Sequence, residues 1–286
     1  MQSAYIGKLM ELAERDSEVL HILADSGTGY DEMFRRNFPD QIYNFGISEE
    51  NMVAAAAGMA SVGKIPFVFT AGAFLAYRSL EFIRDDICFQ NLNVKITGMG
   101  SGLSWSSLGP THHTTEDIAV LRAIPNLMIL SPATPRQVSE CLQLAYEHVG
   151  PVYMRIGMNH EKEFFGEDYR ISADQSDRIR SGYDGSITAG QNDQHEGRNN
   201  VAIFVTGSIL DEADQAEKLL KKDGIRTVLI NVPVIKPFNE AYVLDAARQA
   251  KMLVTVEEHN VYGGLGSMVA EIVAGSGLGV KVRRIG

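Results

Sequence analysis

The stretch Phe45–Phe67, FGISEENMVAAAAGMASVGKIPF, decides the fold. Glu49 and Glu50 stand directly before a run that is apolar from Met52 to Ala60, with Asn51 as the one polar break. A helix so apolar on all sides belongs in an interior. Ser48 is placed to cap it, which puts both carboxylates in the first turn, where the helix dipole favours them. That is the default reading of both. Glu49 has a second reading. The helix behind it is rich in alanine and glycine, and small residues let another backbone approach closely. A carboxylate at such a dry seam is costly unless a partner group hydrogen-bonds it, and it becomes a candidate for proton chemistry.

Outward from this helix, apolar strand-like runs alternate with helical patterns. SEVLHILAD, IPFVFT, NVKITGM, NLMILSP and PVYMRIG read as strands. Between them lie helical patterns over 48–62, FLAYRSLEFIRDDICFQN, TTEDIAVLRAI and TPRQVSECLQLAYEHV. Continuous β-rich runs separated by helices imply a parallel sheet covered on both faces, hence a doubly wound α/β domain over 1–157. Residues 158–199 are polar, acidic and glycine-rich, and read as a linker with an insertion around 184–199. Alternation resumes at 200 with VAIFVTG, RTVLINVPVI, KMLVTVEE and VKVRRIG as strands, giving a second, smaller α/β domain over 200–286. Both sheets are expected to be mainly parallel.

With 286 residues, 45% hydrophobic and 22% charged, the composition is that of a globular protein of about two domains. The net charge of -10 argues against a nucleic-acid or anionic-membrane surface. No apolar run approaches the roughly 20 residues of a membrane span, and the first fifteen residues are amphipathic and charged rather than signal-like. Cys88 and Cys141 fall in apolar helical patterns, so buried thiols and a reducing cytoplasm are expected.

Further side chains invite a chemical reading. GPTHHTTED, 109–117, places His112 and His113 in a Gly-Pro turn before a helix capped by Thr114 or Thr115. The histidine spacing does not suit a metal; a loop histidine after a parallel strand suits acid/base work or a substrate hydrogen bond. Phe74 and Tyr77, three apart in the turns following a strand, are core packing by default and could present aromatic faces to a planar ligand. VYGGLGSM, 261–268, lacks the third glycine of a dinucleotide fingerprint, and its glycines are better explained by tight helix–strand packing.

In order along the chain, GISEENM, IPFVFT with Phe74 and Tyr77, GPTHHTTEDIAVLRAIPNL, SPATPRQV, PVYMR, TGS, INVPVIKP and EEHNVYGGLGS together resemble the C-terminal half of a transketolase, the pyrimidine-binding domain followed by the C-terminal domain. The resemblance covers about 1–157 and 200–286. It implies a thiamine diphosphate site shared between two halves, with Glu49 as the glutamate that hydrogen-bonds the aminopyrimidine and helps deprotonate the thiazolium carbon. It implies Phe74, Tyr77 and Ala71 in the pyrimidine pocket, with Asp25 nearby. It implies His112 beside the reacting carbonyl and Arg155 on a substrate phosphate. The alanine-rich helix would line a subunit interface.

Several positions depart from the family. Ala71 stands where a stacking phenylalanine is usual in the family, which implies either lost stacking or a ring supplied from elsewhere, with Phe69 and Phe74 as the candidates. Gly100 replaces a histidine, Leu108 an aspartate and Ala4 an arginine, while the loop brings in Trp105 as a substrate-side group. The Gly-Asp-Gly and downstream Asn that hold the metal in the diphosphate-binding half are absent; GYDGS at 182–186 does not match them. The expectation is therefore a split enzyme. An N-terminal-half, diphosphate-binding partner subunit holds Mg²⁺ and pairs with this chain as α2β2. A two-carbon ketol unit passes from a ketose (phosphate) donor to an aldehyde-type acceptor. The alternatives are the β subunit of a 2-oxo acid dehydrogenase, a deoxyxylulose-phosphate-synthase-like enzyme, or a non-catalytic scaffold subunit.

Overall fold

A computed structural model describes residues 1–25, 29–158, 161–173, 177–179 and 199–286. The chain begins with α1 (Gln2–Arg15), β1 (Val19–Leu23), α2 (Gly29–Asn37), β2 (Ile42–Asn44), α3 (Glu49–Ser61) and β3 (Ile65–Ala71). A helical stretch follows in which α4 (Leu80–Phe82) is flanked by π-helical turns at Phe74–Arg78 and Ile83–Cys88. Then come β4 (Lys95–Met99), α5 (Asp117–Leu121), β5 (Met128–Leu130), α6 (Pro135–Glu147), β6 (Val152–Ile156) and β7 (Asp177–Ile179). The last part contains β8 (Asn199–Thr206), α7 (Leu210–Lys222), β9 (Thr227–Asn231), β10 (Val234–Lys236), α8 (Glu240–Gln249), β11 (Ala250–Glu257), α9 (Leu265–Ser276) and β12 (Lys281–Ile285).

Two sheets result, both α/β and mostly parallel as the alternation predicts. The larger has seven strands in the order β10-β5-β6-β4-β3-β1-β2, the smaller five in the order β12-β11-β8-β9-β7. Antiparallel pairing occurs where β10 joins β5 and where β7 joins β9. On one face of the large sheet, Tyr5, Leu9 and Leu12 of α1 and Val138 and Leu142 of α6 pack on Phe67, Phe69 and Met154. On the other, Met52, Val53 and Ala56 of α3 and Ile118 and Leu121 of α5 cover Val68, Ile96 and Ile129. That second core runs without a break into Phe204, Ile230, Val232 and Leu253 of the smaller sheet, so burial of apolar area joins the two halves.

Several local expectations change. RTVLINVPVI is not one strand. Pro233 has no N–H to give a ladder, and the chain leaves β9 there. The Pro233 carbonyl instead accepts from Ser131 N–H at 2.7 Å, and β10 crosses to the edge of the other sheet. The segment read as a linker supplies β7 to the smaller sheet; residues 180–198, including GYDGS and most of the insertion, lie outside the described residues. The α2 helix has no counterpart among the helical patterns of the sequence. Glu116, not Thr114 or Thr115, occupies the cap position of α5, without a side-chain cap hydrogen bond; Thr114 is buried and paired with Gly102 in a β-bridge. Ser48 does occupy the cap position of α3, but its hydroxyl donates to the Phe45 carbonyl at 2.8 Å rather than capping the helix.

The α3 helix buries one side only. Met52, Val53, Ala56 and Ala57 face the core, while Ala54, Ala55 and Met59 are half-buried and Gly58 and Val62 exposed.

The tight-packing reading of the 261–268 glycines holds. A Cβ on Gly264 would lie 2.1 Å from Glu257 Oε2, and one on Gly266 2.7 Å from Thr255 Oγ1. Glu257 accepts from the N–H groups of Leu265 and Gly266 at 2.7 and 2.8 Å, placing its carboxylate at the N-terminus of α9.

Candidate active site

The order of the large sheet reverses at β1, which has β2 on one side and β3 on the other. Doubly wound sheets gather ligands outside the carboxyl ends of strands at such a reversal. Here β3 ends at Ala71, β4 at Met99 and β1 at Leu23, and α3 begins at Glu49 between β2 and β3.

Glu49 is the buried acid of this edge, its side chain 2% exposed. Its Oε2 accepts a hydrogen bond of 2.6 Å from Arg78, whose side chain is 43% exposed. Arg78 ends the π-helical turn that starts at Phe74. Such a turn fits an extra residue into the helix and re-aims the side chains around it, a device frequent at functional sites. The Arg78 guanidinium carbon lies 5.0 Å from the centroid of the Phe74 ring, within cation–π range. Phe74 in turn meets His112 edge-on at 5.0 Å, and His112 meets Trp105 edge-on at 6.0 Å. The Thr111 hydroxyl and His112 Nδ1 share a hydrogen bond of 3.0 Å. Thus Glu49, Arg78, Phe74, His112 and Trp105 form one contiguous chain of contacts. Four of these five stand out in the sequence motifs; Arg78 does not.

Tyr77 is anchored through its hydroxyl. Its hydroxyl donates to Glu116 Oε2 at 2.8 Å and accepts from the Glu116 N–H at 2.9 Å. Burial pushes its phenol well above its ordinary pKa. It therefore braces the turn just after His112. Ala71 is buried at the end of β3 and offers no ring. Phe69 stacks on Tyr5 at 4.6 Å in the core, so of the two phenylalanines that could replace the missing ring, Phe74 is the one at this edge. Asp25 is exposed, in the left-handed region with φ 51°, and its N–H donates to Asn44 Oδ1 at 3.1 Å. The same Asn44 oxygen accepts from Gly46 N–H at 2.9 Å, so Asp25 helps anchor the approach to Glu49.

Arg155 lies inside the fold. Its guanidinium is buried, 2% exposed, with Nε donating to Asp117 Oδ2 at 2.9 Å. One terminal nitrogen donates to the carbonyls of Thr114 and Glu258 at 3.2 and 3.1 Å. Tyr153 also donates to Asp117, at 2.8 Å. Burial disfavours the charge on Arg155, and the Asp117 carboxylate outweighs it, so the guanidinium is held protonated. Through these bonds Arg155 ties the fold together. It joins the end of the histidine loop to the smaller domain.

The loop 100–113 is fixed from both sides. Gly100 has φ 75°, and a Cβ on it would fall 2.6 Å from the indole of Trp105; the ring occupies the space a side chain there would need. Gly102 packs against Glu258, whose carboxylate accepts from Leu103 N–H at 3.3 Å and from the Ser208 hydroxyl at 2.6 Å. Leu108 is exposed at the loop's outer end. Glu258 and Ser208 fall within the EEHNVYGGLGS and TGS motifs, but their contact with this loop, across the domain junction, has no local trace in the sequence.

The constellation suits a flat, nitrogen-bearing ring. A buried carboxylate can accept from it, and an aromatic face lies alongside. Among the described residues no group of three or more His, Cys, Asp or Glu could hold a metal ion, and no helix is long and apolar enough to cross a membrane.

Known proteins of the same pattern give the chain its relatives. Residues 1–159 match the model of the transketolase pyrimidine binding domain, and 190–286 that of the transketolase C-terminal domain. The chain is 32% identical to one of the subunits of the apulose-4-phosphate transketolase of Actinobacillus succinogenes, over 98% of this chain and 86% of that protein. It is 32% identical to a putative transketolase C-terminal section of Methanocaldococcus jannaschii, over 100% of this chain and 85% of that one. A solved structure described as a split gene transketolase, inactive beta4 tetramer, superposes with a TM-score of 0.85 at 32% identity, covering 99% of this chain and 87% of that one.

Proposed function

This chain belongs to the transketolase family, and from that premise we propose that it is the catalytic-glutamate subunit of a split, thiamine diphosphate-dependent transketolase. It completes its site with a diphosphate-binding partner in an α2β2 assembly, in which the partner holds Mg²⁺. The reaction assigned is transfer of a two-carbon ketol unit from a ketose (phosphate) donor to an aldehyde-type acceptor. The observation that carries this reading is the buried Glu49 carboxylate, joined through Arg78 to the Phe74 ring, at the sheet's reversal point. A relative named as a single subunit of a transketolase, and a solved beta4 tetramer described as inactive, support the need for a partner.

When bound, thiamine diphosphate supplies the nucleophilic carbon that carries the ketol unit. The residues of this chain hold and protect it. Glu49 would share a proton with a ring nitrogen of the aminopyrimidine, accepting from that nitrogen when it is protonated; exclusion of water strengthens that bond. Phe74 gives the ring a face, the role that Ala71 cannot fill. His112, steadied by Thr111 and by the edges of Phe74 and Trp105, reaches the substrate carbonyl oxygen as a hydrogen-bonding acid/base group. Trp105 walls the substrate side. Arg155 and Tyr77 position the loop rather than touch substrate. The uncovered alanine-rich side of α3 is the surface assigned to a neighbouring subunit. Cys88 and Cys141 are buried thiols in no disulfide, which suits the cytoplasmic location assigned here.

Glu49→Gln tests the reading. In the assembled complex, turnover of a ketose phosphate is expected to fall at least about a hundredfold while size-exclusion chromatography shows the assembly unchanged. Normal turnover in that variant would overturn the assignment.

A further inference from the structure

Arg78 occupies both handholds that the flat cofactor ring would use. Its guanidinium donates to Glu49 Oε2 at 2.6 Å, and its central carbon lies 5.0 Å from the centroid of the Phe74 ring. A guanidinium is planar, cationic, rich in N–H donors and prone to lie against aromatic faces. An aminopyrimidine protonated at a ring nitrogen would offer the same flat shape, positive charge and N–H donor to a carboxylate and an aromatic ring. We propose that Arg78 is an internal placeholder for the pyrimidine, neutralising the buried Glu49 carboxylate while the site is unloaded and withdrawing when the ring enters. This rests on the assignment of Glu49 to the pyrimidine made above.

Two further features of the chain favour withdrawal over permanent residence. The Arg78 side chain is 43% exposed while that of Glu49 is 2% exposed, so the arginine can swing into water at little solvation cost and the glutamate cannot. Arg78 is also the last residue of its π-helical turn, followed by Ser79 with φ -96° and ψ 14°, outside the helical region. A side chain at such an irregularity is not locked by a regular helical neighbourhood. The exchange keeps the carboxylate partnered: one N–H donor leaves Oε2 and another takes its place. Loading is thus a competition, and the enzyme loses cofactor affinity in return for never leaving a bare buried charge.

The test uses the complex with the diphosphate-binding partner and measures thiamine diphosphate affinity by titration calorimetry. Arg78→Met removes charge and donors but keeps bulk, and is expected to bind the cofactor about tenfold more tightly than wild type, the scale of one charged hydrogen bond. Arg78→Lys, which keeps the charge but cannot cover the ring, is expected to fall between. In an E49Q background the gain from removing Arg78 is expected to be lost, because the two side chains act through one contact. If E49Q weakens binding and R78M leaves it unchanged or weaker, the placeholder role is overturned and the Glu49 assignment stands. If E49Q binds like wild type, the Glu49 assignment fails and the placeholder with it. Thermal melting of each complex reports folding; were R78M to unfold, R78K decides alone, and affinity no tighter than wild type would reject the proposal.

Discussion

Trp105 and Gly100 fit together as a ring into a gap: a Cβ on Gly100 would lie 2.6 Å from Trp105 Cε3, and the glycine's φ of 75° is one that other residues rarely adopt. The indole thus fills the place of a side chain, and it meets the His112 ring edge-on at 6.0 Å. Gly100→Ala meets both obstacles at once. It is expected to displace Trp105, lower stability by roughly 1–3 kcal/mol, and reduce kcat more than cofactor affinity because His112 loses its neighbour. Thermal melting and steady-state kinetics of the complex check this; unchanged melting and activity would show the loop to be more yielding than its packing.

Arg155 and Asp117 form a buried pair, and removing one partner leaves an uncompensated charge inside. Arg155→Met is expected to destabilise the chain by about 3–5 kcal/mol, read as a lower midpoint in urea. A direct role on a substrate phosphate would instead raise KM for phosphorylated substrates with stability intact.

Lys95 offers a pH-dependent signature away from the site. The residue is 2% exposed, and its amine donates to the carbonyls of His148 and Gly150 at 2.6 and 2.8 Å. Burial pulls its pKa down to about 7 from an ordinary 10.5. The unfolded lysine keeps its proton up to about pH 10.5 and the folded one loses it above about pH 7. The unfolded state therefore binds more protons between those values, and stability rises with pH across that window. Lys95→Met is expected to flatten the rise, a difference on the order of a few kcal/mol, in denaturant melts of wild type and variant between pH 7 and 10. Parallel slopes would contradict the shift.

Glu258 clamps the substrate-side loop to the smaller domain through Leu103 N–H and the Ser208 hydroxyl. Glu258→Ala is expected to speed amide hydrogen exchange at Leu103 and its neighbours by about tenfold or more, with the sheet amides unchanged. Equal exchange in both proteins would place the restraint elsewhere.

The alternation of apolar runs and helical periods made the two parallel sheets readable, because a strand covered on both faces leaves a continuous β-rich signature. What stayed hidden depends on distance in sequence or on departures from regular geometry. The crossing of β10 into the larger sheet follows from Pro233, but its destination is set by the open edge of β5. The α2 helix, GYDEMFRRN, is short and polar over most of its length, with Phe34 buried at 0% exposure. Arg78 reaches Glu49 from the end of a π-helical turn that begins at Phe74, and the two are 29 residues apart in sequence, so its position there gives no reason to choose it. Arg155 is conspicuous in the motif, yet its partners Asp117, Thr114 and Glu258 come from distant places in the chain. Ionic pairing across such separations has no local trace.

The excursion of Val234–Lys236 to the flank of β5 also constrains biosynthesis. On the ribosome, β5 emerges long before the segment that will cover it, so its outer rim stays bare until the second half has been made. Severing the chain between the halves would strand that rim permanently and deprive the other fragment of its anchor. Each piece would then look for a substitute strand, and the nearest supply is another copy of itself.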